Sequence, residues 1–115
     1  MIAPATAQPA YYSALGADPD FAEIVGLFVD ELPLRIRDMQ GHFGCANWDE
    51  LARLAHQLKG AAGSYGFDQI TPFAVSLDKA VRNGEPQAVI RAALENLAEA
   101  CSRVRAGGPQ TANSA

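Results

Sequence analysis

Cysteine is scarce in this chain, cations are outnumbered by acids, and no long apolar run occurs. Cys45 and Cys101 are its two cysteines, too few for a disulfide framework and without metal-ligand spacing. Lys and Arg number 9 against 13 Asp and Glu, a net charge of −4 at pH 7. That balance argues against nucleic acid as a partner, because phosphate binding calls for a basic surface. No stretch approaches the roughly 18 apolar residues of a membrane span. The first residues lack the basic start and apolar core of a secretory signal. What is present is 115 residues, 49% hydrophobic and 19% charged, enough for one small core. A single soluble, cytoplasmic domain is expected.

The apolar residues between the two ends recur with helical spacing, and no sustained strand-type alternation is seen. Phe21, Ile24, Phe28, Leu32, Ile36, Met39 and Phe43 form a first stripe. Asp18 is placed to cap it, with Pro19 at its first position, and Pro33 inside it should kink it. The second stripe is Trp48, Leu51, Ala55, Leu58, Ala62 and Tyr65, opened by a capping box of Asn47 with Glu50. Ile70, Phe73, Leu77, Ala80 and Val81 make a third, ended by Asn83-Gly84. Ile90, Leu94, Leu97, Cys101 and Val104 make a fourth, with Pro86 near its start and Gly107 after its end. Four amphipathic helices joined by short connections predict an all-α fold, an antiparallel up-down four-helix bundle. Residues 1–17 are Ala- and Pro-rich and read as a loose N-terminal arm or short helix, with Tyr11, Tyr12 and Leu15 able to dock. Residues 18–105 read as the bundle, and residues 106–115 as a flexible tail.

One segment breaks the local rules: His56-Gln57-Leu58-Lys59-Gly60-Ala61-Ala62-Gly63-Ser64-Tyr65-Gly66. On a helical wheel His56 points roughly 140° away from the second stripe, so it lies outside the core. Lys59 and Gly60 share its side, and Gly63 lies one turn beyond Gly60. Glycine inside a helix costs about 1 kcal/mol relative to alanine. A lone glycine here would mean simple fraying before Gly66. A histidine, a lysine and two glycines on one outward face instead describe a surface that lets another body approach the imidazole. A neutral imidazole is populated near pH 7 and can attack an activated phosphoryl group. Lys59 can offset the charge on the phosphoryl oxygens. No G-x-x-x-x-G-K-[ST] loop and no glycine-rich loop after a strand accompanies it, so the donor must be another protein or a small activated phosphate.

With these residues the chain resembles the histidine-containing phosphotransfer (HPt) domains of phosphorelays. Their pattern, H-x-L-K-G-x-A-x-x-x-G after an alanine, is met from Ala55 to Gly66. The resemblance extends across about residues 18–105. It implies that His56 is the phosphoacceptor, that Lys59 sits beside the phosphoryl group, and that Gly60 and Gly63 give the partner access. Gly66 would close the helix. It also implies an imidazole-orienting side chain on the next helix, usually Glu or Gln. The matching residue is Asp78, one methylene shorter, for which a solvated surface charge is the alternative. The implied partners are receiver domains of response regulators or hybrid histidine kinases. No cofactor would be bound by this chain, and the Mg²⁺ would belong to the receiver. A monomer is expected, and Leu54, Ala61 and Phe67 are candidates for docking or for the core.

The remaining residues read more plainly. His42, flanked by glycines, is placed to be a helix-end residue, and a metal site pairing it with His56 would lack a third ligand. Cys101 reads as a small core residue, Cys45 as a connection residue, and Trp48 as packing at one end of the bundle. The expected function is a phosphorelay intermediate that takes a phosphoryl group from a receiver aspartate onto His56 and passes it to another receiver. The alternatives are a structural bundle that binds receivers without transfer and a hydrolase using His56 as general base. The hydrolase lacks a Ser or Cys nucleophile and a second buried acid.

Overall fold

The computed structural model describes residues 10–16 and 18–107. Four helices dominate: α1 (Pro19–Gly44), α2 (Trp48–Ser64), α3 (Thr71–Arg82) and α4 (Gln87–Ser102). Two short strands, β1 (Tyr11–Tyr12) and β2 (Val104–Arg105), pair in parallel, with Tyr11 beside Val104 and Tyr12 beside Arg105. Each helix packs on its neighbours in sequence, and α1 also packs on α4, which closes the four into a bundle. α2 and α3 make the most extensive pair.

Local chemistry sets most of the boundaries. The Asp18 carboxylate accepts from the Asp20 backbone N–H at 2.9 Å, and Pro19 follows in the first turn. α1 continues without interruption through Pro33, whose ring lies on the exposed side. α2 and α3 each end in a Schellman motif on a left-handed glycine, Gly66 (φ 82°) and Gly84 (φ 66°). In the first, the Phe67 N–H reaches the Ala62 carbonyl at 2.8 Å; in the second, Glu85 N–H reaches Ala80 at 3.0 Å. α1 ends with the same bonds around Ala46, at φ 56°.

The core takes Phe28, Leu32 and Met39 from α1, Leu51, Ala55 and Leu58 from α2, Leu77 from α3 and Leu97 from α4, all at most 2% exposed. Burying one such large side chain is worth about 1.5–3 kcal/mol. Phe28 stacks on Tyr65 and on Phe67 at centroid distances of 4.9 and 5.7 Å, which ties α1 to the end of α2. At the opposite end of the same two helices, Phe43 meets Trp48 edge-on at 5.6 Å.

Several local expectations are corrected. The first stripe begins at Val25, which is fully buried, whereas Phe21 and Ile24 are exposed. Apolar residues at 24, 25, 27, 28 and 29 surround the helix there, so periodicity alone cannot choose its inner face. The capping box does not form: the Asn47 amide bonds the His42 ring and Glu50 pairs with Arg53. That pairing holds the Glu50 carboxyl below its ordinary range and the Arg53 guanidinium above its own. Val104 is buried but lies in β2, beyond the end of α4.

The described part of the N-terminal arm is fastened rather than loose. Tyr11 N–H donates to the Arg103 carbonyl at 2.7 Å, Ala14 N–H to the Gly66 carbonyl at 2.9 Å, and Ser13 Oγ–H to the Tyr65 carbonyl at 2.5 Å. Arg103 also stacks over the Tyr11 ring at 4.2 Å. Residues 1–9, 17 and 108–115 lie outside the described residues.

Candidate functional site

His56 projects from the middle of α2, and its orientation follows from its neighbours. Ala55 and Leu58 are fully buried, which turns the intervening His56 side chain outward, where it is 59% exposed. On the facing helix α3, Leu77 and Ala80 are drawn into the core and carry Asp78 between them to the α2–α3 boundary. Asp78 is 8% exposed, so it is no solvated surface charge. Its Oδ2 lies 3.4 Å from His56 Nδ1. The missing methylene is therefore offset by the close packing of α2 on α3, which brings the two side chains into contact.

The other carboxylate oxygen, Oδ1, accepts from Arg82 Nε at 2.5 Å. Arg82 was not singled out from the sequence, although Asp78 and Arg82 stand four apart on one helix, a spacing that pairs opposite charges. A buried carboxylate needs such a partner, because the desolvation of an unpaired charge is costly.

An ionised carboxylate can only accept hydrogen bonds, so contact with Asp78 calls for the hydrogen of the neutral imidazole on Nδ1. The nucleophilic lone pair then lies on Nε2, which nothing bonds among the described residues. Lys59 is partly exposed one turn on, and among the described residues it has no ion-pair partner. Gly60 and Gly63 are exposed, and among the described residues a Cβ built on either would meet nothing within 4 Å. No packing inside the bundle requires a glycine at these two positions.

The other candidates fall elsewhere. Phe67 is fully buried and is core; Leu54 and Ala61 are partly buried against it. His42 is held at the end of α1, where its Nδ1 faces Asn47 Nδ2 at 3.1 Å and its Nε2 faces Asp38 at 3.6 Å. Among the described residues no group of three or more His, Cys, Asp or Glu side chains is arranged to hold a metal ion. Cys101 is buried, which pushes its thiol up to about 12, while Cys45 is exposed.

An exposed imidazole held by a carboxylate on a four-helix bundle agrees with the comparison of the sequence against protein families. A family model described as Hpt domain matches residues 23–107. The chain belongs to the Hpt domain family. No significant match is found among curated proteins or among solved structures. The matched span covers most of α1, all of α2, α3 and α4, and β2. Hpt domains act in phosphotransfer in two-component signalling and interact with receiver domains, and this chain shares that general role. Among the described residues no helix of this Hpt domain is long and apolar enough to cross a membrane.

Proposed function

We propose that this Hpt domain is a phosphorelay intermediate in which His56 accepts a phosphoryl group from the aspartyl phosphate of one receiver and delivers it to the aspartate of another. The observation that carries the reading is the state of the imidazole: Nδ1 is engaged by Asp78 and Nε2 is open, beside two glycines that leave the approach clear. Nε2 attacks phosphorus, the P–N bond forms, and the bond from phosphorus to the receiver's carboxylate oxygen breaks. The carboxylate leaves with the bonding pair. The imidazole ring becomes cationic and keeps its Nδ1 hydrogen, so the negative Asp78 stabilises the product. Lys59 offsets charge on the phosphoryl oxygens. Mg²⁺ comes with the receiver, and this chain contributes no cofactor. Delivery to the second receiver reverses each bond change.

The test is phosphoryl transfer from a panel of phosphorylated receiver domains with Mg²⁺, comparing the wild type with His56→Gln. Acid-labile, base-stable phosphate is expected on the wild type, with none on the variant. The variant should keep its helical circular dichroism and, because the side chain is exposed, its stability within about 0.5 kcal/mol. A wild type that binds receivers and is labelled by none would instead be a receiver-binding structural bundle.

A further inference from the structure

We propose that Arg82 is a positioning residue for His56, acting through Asp78: its guanidinium anchors one carboxylate oxygen so that the other is presented to the imidazole Nδ1–H. The inference rests on the reading of His56 as the phosphoacceptor and deepens it. The Asp78 side chain is 12% exposed and that of Arg82 is 58% exposed, so the arginine reaches in from the surface to a carboxylate that water scarcely covers. A neutral imidazole cannot supply the counter-charge that such a carboxylate needs; Arg82 can. Its Nε–H also fixes the rotation of the carboxylate about the short Asp side chain. Without that anchor the carboxylate is free to turn away, and the 3.4 Å contact to His56 is the one it would lose.

The chain of contacts runs Arg82 Nε to Asp78 Oδ1, then Asp78 Oδ2 to His56 Nδ1. Its effect is to select the tautomer that leaves the Nε2 lone pair free for phosphorus. Arg82 lies in the last turn of α3, four residues after Asp78, where a cation is also favoured by the helix dipole. Lys79, in the same turn, has no ion-pair partner among the described residues, so it serves as a charge-matched control.

The experiment reads ¹⁵N NMR of the His56 ring at a pH where the imidazole is neutral, together with labelling by phosphoramidate. It compares the wild type with Arg82→Ala, Arg82→Lys and Lys79→Ala. The wild type is expected to carry its hydrogen on Nδ1, and Arg82→Ala to shift toward the Nε2–H form that free histidine prefers. Labelling of Arg82→Ala should slow roughly three- to tenfold, the scale of one hydrogen bond. Arg82→Lys should recover part of both signals, and Lys79→Ala should change neither. If Arg82→Ala fails to fold, Arg82→Gln, which keeps a donor without the charge, takes its place with the same expected direction. A wild-type tautomer and rate in the Arg82 variant overturn the inference, as does an equal change in Lys79→Ala, which would reduce the effect to net charge. A wild type labelled by neither phosphoramidate nor any receiver overturns the phosphoacceptor reading instead, and the tautomer still decides the role of Arg82.

Discussion

Gly60 and Gly63 lie on the outward side of α2 with nothing among the described residues within 4 Å of where a Cβ would stand, whereas a Cβ on Gly66 would lie 2.4 Å from Ser13 Oγ and 3.0 Å from Ala14 N. Gly66 also holds a positive φ of 82°. One short segment therefore uses one residue type for opposite reasons. At Gly66 the missing side chain lets the chain turn and lets the N-terminal arm lie against the end of α2. At Gly60 and Gly63 it leaves the surface beside His56 bare among the described residues, on the side from which the proposed receiver would approach. A motif read as a unit thus separates into a glycine that the fold requires and two that no described packing requires, which the proposed function assigns to access.

Substitutions can break this separation, and the largest effect is expected at Gly66. Gly66→Ala should destabilise the domain by about 2 kcal/mol or more, since the left-handed conformation alone costs about 1–2 kcal/mol and the arm must also move. Chemical denaturation checks this, and a loss of no more than about 1–2 kcal/mol, the backbone cost alone, would mean that the arm yields freely. Next comes Gly60→Glu, which should fold normally yet slow transfer from a phosphorylated receiver roughly tenfold or more, a barrier increase of about 1.4 kcal/mol. Unchanged kinetics would show that the receiver does not approach over Gly60. The smallest effects belong to Gly60→Ala and Gly63→Ala, each expected to raise stability by up to about 1 kcal/mol through helix propensity. If either lowers the melting temperature, the glycine serves the fold after all and the contrast with Gly66 collapses.

How much of this was legible beforehand depended on whether the signal was local. The start of α1 at Asp18-Pro19 and the end of α3 at Asn83-Gly84 are written in neighbouring residues, and the helix boundaries follow them. The outward direction of His56 followed from the stripe on its own helix. The capping box at Asn47 failed because both of its polar side chains had other partners, one of them His42 on the preceding helix. The status of Asp78 depended on how α3 is rotated against α2, which spacing along one chain segment does not specify. Its tie to Arg82 was the available clue, four residues away on the same helix. The pairing of Tyr11-Tyr12 with Val104-Arg105 left no local trace, because it joins segments from opposite ends of the sequence.

That pairing has a kinetic consequence. α2 and α3 are adjacent in sequence and meet across a short connection, so their contacts close a small loop, whereas joining Tyr11 to Val104 closes almost the whole described chain. Loop closure costs more entropy as the loop lengthens, and distant contacts are rewarded only after nearer ones have formed. The helical hairpin that brings Asp78 to His56 is thus expected to assemble before the two-residue ladder, which has few bonds to hold it. The carboxylate–imidazole pair thus stands on the pair of helices whose contacts close the shorter loop, far in folding order from that ladder.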